Sequence, residues 1–419
     1  MAQSLIQKEL DRVDEAVDDL AESAFAFLER LVAEASVLGD EEPAQAIVAA
    51  ELDRLGFAVE RVPFPADIAD QPGSGVPRLP VDGRSVVVGR RPGNGRSLLI
   101  NGHIDVVPPG DASRWSTDPF APHRHDGWLV GRGAGDMKAG FAMATLALEA
   151  VQQAVSETAL GPLTFVSAVE EECTGNGTLA ASLAGALADA AVHPEPTGLE
   201  LLLSGIGLVW FELVVDGRPT HAHVADEGVN GIEAALPLLA ALRELERSLR
   251  ERSGEPCVLN IGTFHAGDWQ SSVPAVARIG IRLGLPSGTS PAEGERLVRD
   301  AVGAAAAADP WLADHPPQVV PNGFRAEAYS LDAAHPLVEA FADAHHDVFG
   351  AAPAIAPGTA TTDARYYVNR FAVPALCYGP RVRNIHGLDE AVELASIVAG
   401  ARVLSRFLLR WPSLEAGLP

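Results

Sequence analysis

The spacing of apolar residues divides the chain into two textures. Residues 4–36 place Leu, Val, Phe and Ala at helical intervals between charges, which predicts one long helix or two in series. Pro43 opens a second helix, AQAIVAAELDRLG, that Gly56 stops. Short apolar runs at 57–62, 86–88 and 98–100 read as strands, with a Pro- and Gly-rich surface loop over 63–84. An Ala/Leu-rich helix over 139–155, a buried strand over 163–169, a helix over 178–190 and a strand at 191–192 continue the alternation. That order predicts an α/β fold: a mixed, mostly parallel sheet with helices on both faces.

From residue 207 the texture changes. GLVWFELVV alternates as an antiparallel strand does, and strands at 258–263, 275–285 and 318–321 follow, with helices over 228–248 and 292–307. These make an α+β unit of about 115 residues, a plausible size for a small domain. The α/β texture resumes near residue 334, with a helix over 336–349, a strand near 372–378 and a closing helix over 388–409. The expected division is therefore one domain split into 1–206 and 323–419 around an insert at 207–322.

Length and charge narrow the functions open to such a chain. At 419 residues, 47% hydrophobic and 21% charged, it has the composition of a globular protein of two domains. Lys plus Arg number 31 against 56 Asp plus Glu, a net charge of −25, and no basic run tracks phosphates, so nucleic acid is not an expected partner. Cys173, Cys257 and Cys377 lie far apart and fit reduced thiols. The N-terminal MAQSLIQKELDRVDEAVDDL has no basic region followed by an apolar core, and no apolar stretch approaches the roughly 20 residues that span a bilayer. The expected setting is the cytoplasm, without a membrane.

The chemistry gathers where strands are expected to end. Five such loops each present a side chain able to bind a metal: His103, Asp136, Glu172, Glu195 and His386. All offer N or O donors, the set that Zn²⁺ and similar ions prefer. Residues two apart in an extended segment point the same way, so Asp105 is expected to stand behind His103 and hold its ring. Asp136 follows Gly131, Gly133 and Gly135, where backbone approaches closely, and is the natural bridge between two ions. In Glu170-Glu171-Glu172, one carboxylate can bind metal while a neighbour stays unligated as a base. Arg282 and Arg365 are candidates for gripping a substrate carboxylate through paired hydrogen bonds. His123, His125, His193, His223, His265, His315, His335, His345 and His346 are read as surface, loop or helix-face residues, and Cys173 as a structural thiol.

GHIDVVPPG, the DPF-to-GRGAGDMKAG segment, EEECTGNG, the EPT of 195–197, GRPTHAH, TTDAR and IHGLDE occur in an order and spacing that resemble the M20 family of metallopeptidases and deacylases. The likeness is greatest to the branch of acetylornithine deacetylase and succinyl-diaminopimelate desuccinylase. It implies a zinc-exopeptidase-like catalytic domain and a ferredoxin-like lid that also builds a homodimer. It implies that His103 and Glu195 hold one ion, Glu172 and His386 the other, and that Asp136 bridges them, with a cis peptide after it. Glu171 falls on the general base and Asp105 on the residue that orients His103. His221 matches a lid histidine that reaches the partner's active site and stabilises the oxyanion. Gln270-Ser271-Ser272-Val273-Pro274 stands where relatives often carry Asn before Val-Pro, so Ser271 is the expected substitute contact. The cofactors implied are two divalent ions, Zn²⁺ first and Co²⁺ or Mn²⁺ next. The activity implied is removal of an N-acyl group from a small amino-acid-like substrate, with a dipeptidase or carboxypeptidase as the alternative.

Overall fold

The computed structural model describes residues 2–155 and 160–414. Helices α1 (Ala2–Ala33) and α2 (Glu42–Arg54) precede strands β1 (Ala58–Pro63), β2 (Ser85–Arg91) and β3 (Leu98–His103). A short hairpin, β4 (His123–His125) and β5 (Trp128–Val130), leads to α3 (Ala139–Ala154), β6 (Leu163–Ala168), α4 (Asn176–Leu183) and β7 (Ala191–His193). After β8 (Leu201–Leu202) and β9 (Ser204–Gly205) come β10 (Gly207–Asp216), α5 (Gly231–Ser253), β11 (Leu259–Ala266), β12 (Val276–Leu285), α6 (Pro291–Ala306), α7 (Pro310–Asp314) and β13 (Gln318–Ala326). The chain closes with β14 (Tyr329–Ser330), α8 (Pro336–Phe349), β15 (Ile355–Ala356), α9 (Ala364–Phe371), β16 (Ala375–Cys377), β17 (Val382–Arg383), β18 (Ala391–Glu393) and α10 (Leu394–Arg410).

Eight strands form the main sheet in the order β1-β2-β6-β3-β7-β16-β8-β15. β3 lies near its middle, parallel to both β6 and β7, and all six of its residues are buried. A strand hidden on both faces reads as a continuous apolar run rather than an alternating one, which is why Leu98-Leu99-Ile100 was legible. Antiparallel pairs at β1/β2, β2/β6 and β16/β8 make the sheet mixed. Helices α1, α3, α8 and α10 pack on one another, while α4 and α9 sit against strands of the sheet. Parallel strands deliver their C-terminal ends to one edge, and β3, β6, β7 and β16 all point there.

A separate antiparallel sheet, β11-β12-β10-β13, is covered by α5 and α6. Its chain order is β-α-β-β-α-β and its core is its own, built on Val209, Phe211, Leu213, Leu238, Ile279 and Val298. β13 pairs with β10 as far as Ala326, four residues beyond the expected end of the insert.

Several elements differ from the sequence reading, each for a local reason. The helix expected over 178–190 ends at Leu183, where the chain turns through Gly185 at φ +86°. The helix expected from 388 begins at Leu394, because 391–393 pair with β5 as strand β18. α9 was not anticipated; it occupies the stretch before a strand that shrinks to Ala375–Cys377. The 63–84 loop is not wholly superficial: Ile68, Ser74 and Gly75 are buried, and Val76 bridges to Gly323. No helix among the described residues is long and apolar enough to cross a membrane.

Candidate metal centre

His103 is the last residue of β3 and is buried. Gly102 before it is closely packed: a Cβ there would lie 2.9 Å from Met137 Cε and 3.1 Å from the Phe141 ring, so both side chains would have to shift. His103 Nδ1 lies 2.9 Å from the Asp105 carbonyl oxygen, so it donates there and leaves Nε2 facing the site. Nε2 is 3.2 Å from Asp136 Oδ1 and 4.0 Å from Glu171 Oε2. Here the expectation for Asp105 needs correcting. Its main chain, not its carboxylate, holds the ring; Oδ1 is 3.7 Å from Nδ1. The carboxylate instead accepts the Glu171 N–H at 3.2 Å and the Glu172 N–H at 3.1 Å. It thus anchors the glutamate loop at the end of β6 to the loop after β3.

Asp136 arrives from the glycine turn after β5, with Gly133 at φ +78° and a cis peptide between Asp136 and Met137. Its two oxygens face two imidazoles. Oδ1 meets His103, and Oδ2 lies 3.4 Å from His386 Nε2. His386 Nε2 is also 3.1 Å from Glu172 Oε1. Donor atoms of His103, Asp136 and Glu172 all fall within 4.8 Å of one another, the arrangement that could hold a metal ion. Glu195 follows β7 and is buried close enough for its charge to act on His103. The structure therefore brings His103, Asp136, Glu172 and His386 together, with the Asp136 carboxylate between the two histidines and Glu195 buried nearby.

The electrostatics describe a site in which buried carboxylates outnumber the two imidazoles beside them. Burial, opposed by the His103 charge and reinforced by neighbouring carboxylates, pushes Glu195 up to about 8. Burial likewise pushes Glu171 well above the ordinary carboxylate range. Burial disfavours the His103 cation, yet Asp136, Glu171, Asp105 and Glu195 raise it well above the usual imidazole value. His386, also opposed by burial, rises to about 11 beside Asp136 and Glu172. Carboxylates crowded in a buried pocket need a cation, and a divalent ion on N and O donors is the chemistry that fits.

Around this cluster the remaining residues sort by their contacts. Glu170 faces away from it, bonded by Thr174 Oγ1 at 2.6 Å and paired with Arg84. Glu171, between Glu170 and the Glu172 that meets His386, has no ion pair to Lys or Arg among the described residues and faces His103 Nε2 at 4.0 Å. His193 is buried with Nδ1 3.3 Å from Asn101 Nδ2, and burial pushes it down to about 3. Arg365 is corrected as a substrate contact: it is buried, with Nη1 on Thr362 O and Asp363 and Nη2 on Thr174 O and the Tyr366 hydroxyl. It ties the end of the glutamate loop to α9. Arg282, on β12 opposite Trp210 and Asn260, is half-buried and has no carboxylate partner among the described residues. His221 and Ser271 are exposed on adjoining loops of the second sheet, and the structure does not bring them to the cluster. His221 Nδ1 accepts the His223 N–H, and Ser271 O accepts the Ala222 N–H. Two further acids, Glu390 in IHGLDE and Asp363 in TTDAR, are buried near the site, and no apolar period or glycine turn in the sequence sets either apart.

Strand-end imidazoles and carboxylates above an α/β sheet define a class of hydrolase, and comparison with known proteins narrows it. Residues 99–410 match the model of peptidase family M20/M25/M40. Over 97% of both chains, the protein is 26% identical to N-formyl-4-amino-5-aminomethyl-2-methylpyrimidine deformylase of Bacillus subtilis. It is 30% identical to succinyl-diaminopimelate desuccinylase of Xanthomonas campestris over 88% of this chain and 93% of that one. Its fold matches the dipeptidase Dug1p of Saccharomyces cerevisiae with a TM-score of 0.79 at 16% identity, covering 97% of this chain and all of the other. The chain belongs to the M20 family, and it is a hydrolase acting on amide bonds.

Proposed function

We propose that the protein removes a short N-acyl group from a small amine or amino acid with the help of two divalent ions, Zn²⁺ before Co²⁺ or Mn²⁺. The observation that carries this is Asp136 standing between His103 and His386, with Glu171 beside them 4.0 Å from His103 Nε2. His103 and Glu195 would hold one ion, Glu172 and His386 the other, and Asp136 both. When bound, such ions polarise an amide carbonyl and lower the pKa of water toward neutrality. Glu171 would accept the proton of the attacking water and return it to the departing amine nitrogen. Two relatives named as a deformylase and a desuccinylase support an acyl substrate over a peptide.

In this reading 207–322 is a lid on the split domain 1–206 and 323–419. Arg282 would meet a substrate carboxylate, with Ser271 a further polar contact. His221, exposed on a loop of the second sheet, would act from a second copy in a homodimer and donate a hydrogen bond to the carbonyl oxygen as charge develops. The three free, buried cysteines suit the cytoplasm. His221→Ala should then lower kcat by about 10²–10³-fold, the scale of one oxyanion donor, with metal content unchanged. An unaltered kcat removes it from the mechanism.

The decisive measurement is turnover of N-formyl, N-acetyl and N-succinyl amino acids and amines, beside dipeptides, by metal-reconstituted enzyme. Hydrolysis of an acyl substrate well ahead of every dipeptide is expected. Preference for dipeptides would overturn the deacylase assignment while leaving the amide chemistry intact.

A further inference from the structure

Glu390 and Arg132 form a buried ion pair, with side chains 1% and 2% exposed and 2.5 Å between Oε2 and Nη1. No step above uses either. Glu390 Oε1 accepts the N–H groups of Gly135 and Asp136, both at 2.9 Å, and Oε2 accepts the Gly133 N–H at 3.1 Å. The approach is close enough that a Cβ on Gly135 would lie 3.2 Å from Oε1. Arg132 Nη2 donates to the carbonyl of Gly387 at 3.0 Å, one residue past His386, and the guanidinium lies over the Trp115 ring. His386 itself sits at φ +59°, a backbone conformation that L-residues seldom adopt unless their surroundings impose it.

We propose that Glu390 and Arg132 are positioning residues that set Asp136 and His386 together, and so fix the affinity of the ion those two share with Glu172. The proposal takes the ligand set from the reading above. The ordinary alternative is a pair that only stabilises the fold. A buried ion pair is weak evidence for stability, because desolvation offsets most of its attraction. What distinguishes this one is its set of partners. Three N–H groups of the Asp136 loop and one carbonyl of the His386 loop converge on two side chains 258 positions apart in the sequence. Each carboxylate oxygen of Glu390 receives two donors, so a glutamine amide would set its own N–H₂ against two of them.

The test is calorimetric titration of chelator-stripped, full-length protein with Zn²⁺, and with Co²⁺ to read the visible spectrum, in Glu390→Gln and Arg132→Lys. Arg406→Gln serves as the control, since it breaks a partly buried pair with Asp14 on α1. Both clamp variants should lose about 10–100-fold in affinity for one ion, the scale of outer-shell partners of a metal site. The Co²⁺ bands of that ion should shift, and those of the other ion, which shares Asp136 but not His386 with the clamp, should move less. Arg406→Gln should lower Tm and leave both affinities alone. Wild-type affinities in both clamp variants would overturn the proposal, as would an equal loss of affinity in Arg406→Gln. If Glu390→Gln does not fold, Arg132→Lys decides by the same criteria. A wild-type protein that takes up no divalent ion overturns the clamp and the metal reading together. One that binds two ions yet hydrolyses no amide refutes the proposed function alone, and the affinities still judge the clamp.

Discussion

Glu171→Ala should cut kcat by about 10²–10⁴-fold, the span of a positioned general base, while two equivalents of metal stay bound. The expectation follows from what the carboxylate touches. Glu171 is buried, 4.0 Å from His103 Nε2, and its main-chain N–H is pinned by Asp105. Glu170, its neighbour, is committed to Arg84 and Thr174, and Glu172 meets His386. No other acid in the loop is free to take a proton. Glu171→Gln should behave the same, since the amide keeps the shape and loses the basicity. Steady-state kinetics beside elemental analysis would check both. Turnover within tenfold of wild type at full metal content would show that the base lies elsewhere, and loss of metal would make Glu171 a ligand.

How much of this was legible in the sequence differs by residue, for physical reasons. His103, Asp136 and His386 each lie beside a glycine, Glu172 closes an acidic run just after an apolar strand, and a strand end in an α/β sheet has few places to aim a side chain. Asp105 was misread because alternation along a strand does not survive the strand's end. β3 stops at His103, and the chain turns so that the Asp105 carbonyl, not its side chain, reaches the ring. Arg365 was misread because an arginine shows its charge in a sequence but not its burial; Asp363, Thr362, Thr174 and Tyr366 take up the guanidinium. β8, β9, β14, β15 and β17 have two residues each, too few for any period to show. β18 carries buried Ala391 and Val392, which merge with the apolar stripe of α10 and lengthen the apparent helix. Glu390 was hidden differently. Its role depends on Gly133, Gly135 and Asp136, more than 250 positions earlier, and nothing local marks such a contact.

Asp136→Ala should have the largest effect on metal. The two oxygens of this one carboxylate face His103 at 3.2 Å and His386 at 3.4 Å, so removing it takes a donor from both groups of ligands at once. Among the described residues Asp136 is the acid within ion-pair distance of both imidazoles; Glu172 Oε1 lies 3.1 Å from His386 Nε2, and Glu171 Oε2 4.0 Å from His103 Nε2. Both affinities should therefore fall by more than the 10–100-fold typical of an outer-shell partner, and activity should not return when metal is raised to millimolar levels. Asp136→Asn separates charge from geometry. An amide keeps one oxygen donor but offers N–H₂ on its other side, so it should retain about one equivalent of metal and bind the second weakly. His386→Ala should resemble Asp136→Asn in stoichiometry, because it strips one ion's ligand and leaves His103 and Glu195 in place. Titration of the three variants with Zn²⁺ would order them, Ala at 136 lowest. Two equivalents bound at wild-type affinity in Asp136→Ala would mean that the carboxylate bridges nothing, and that the histidines belong to independent sites.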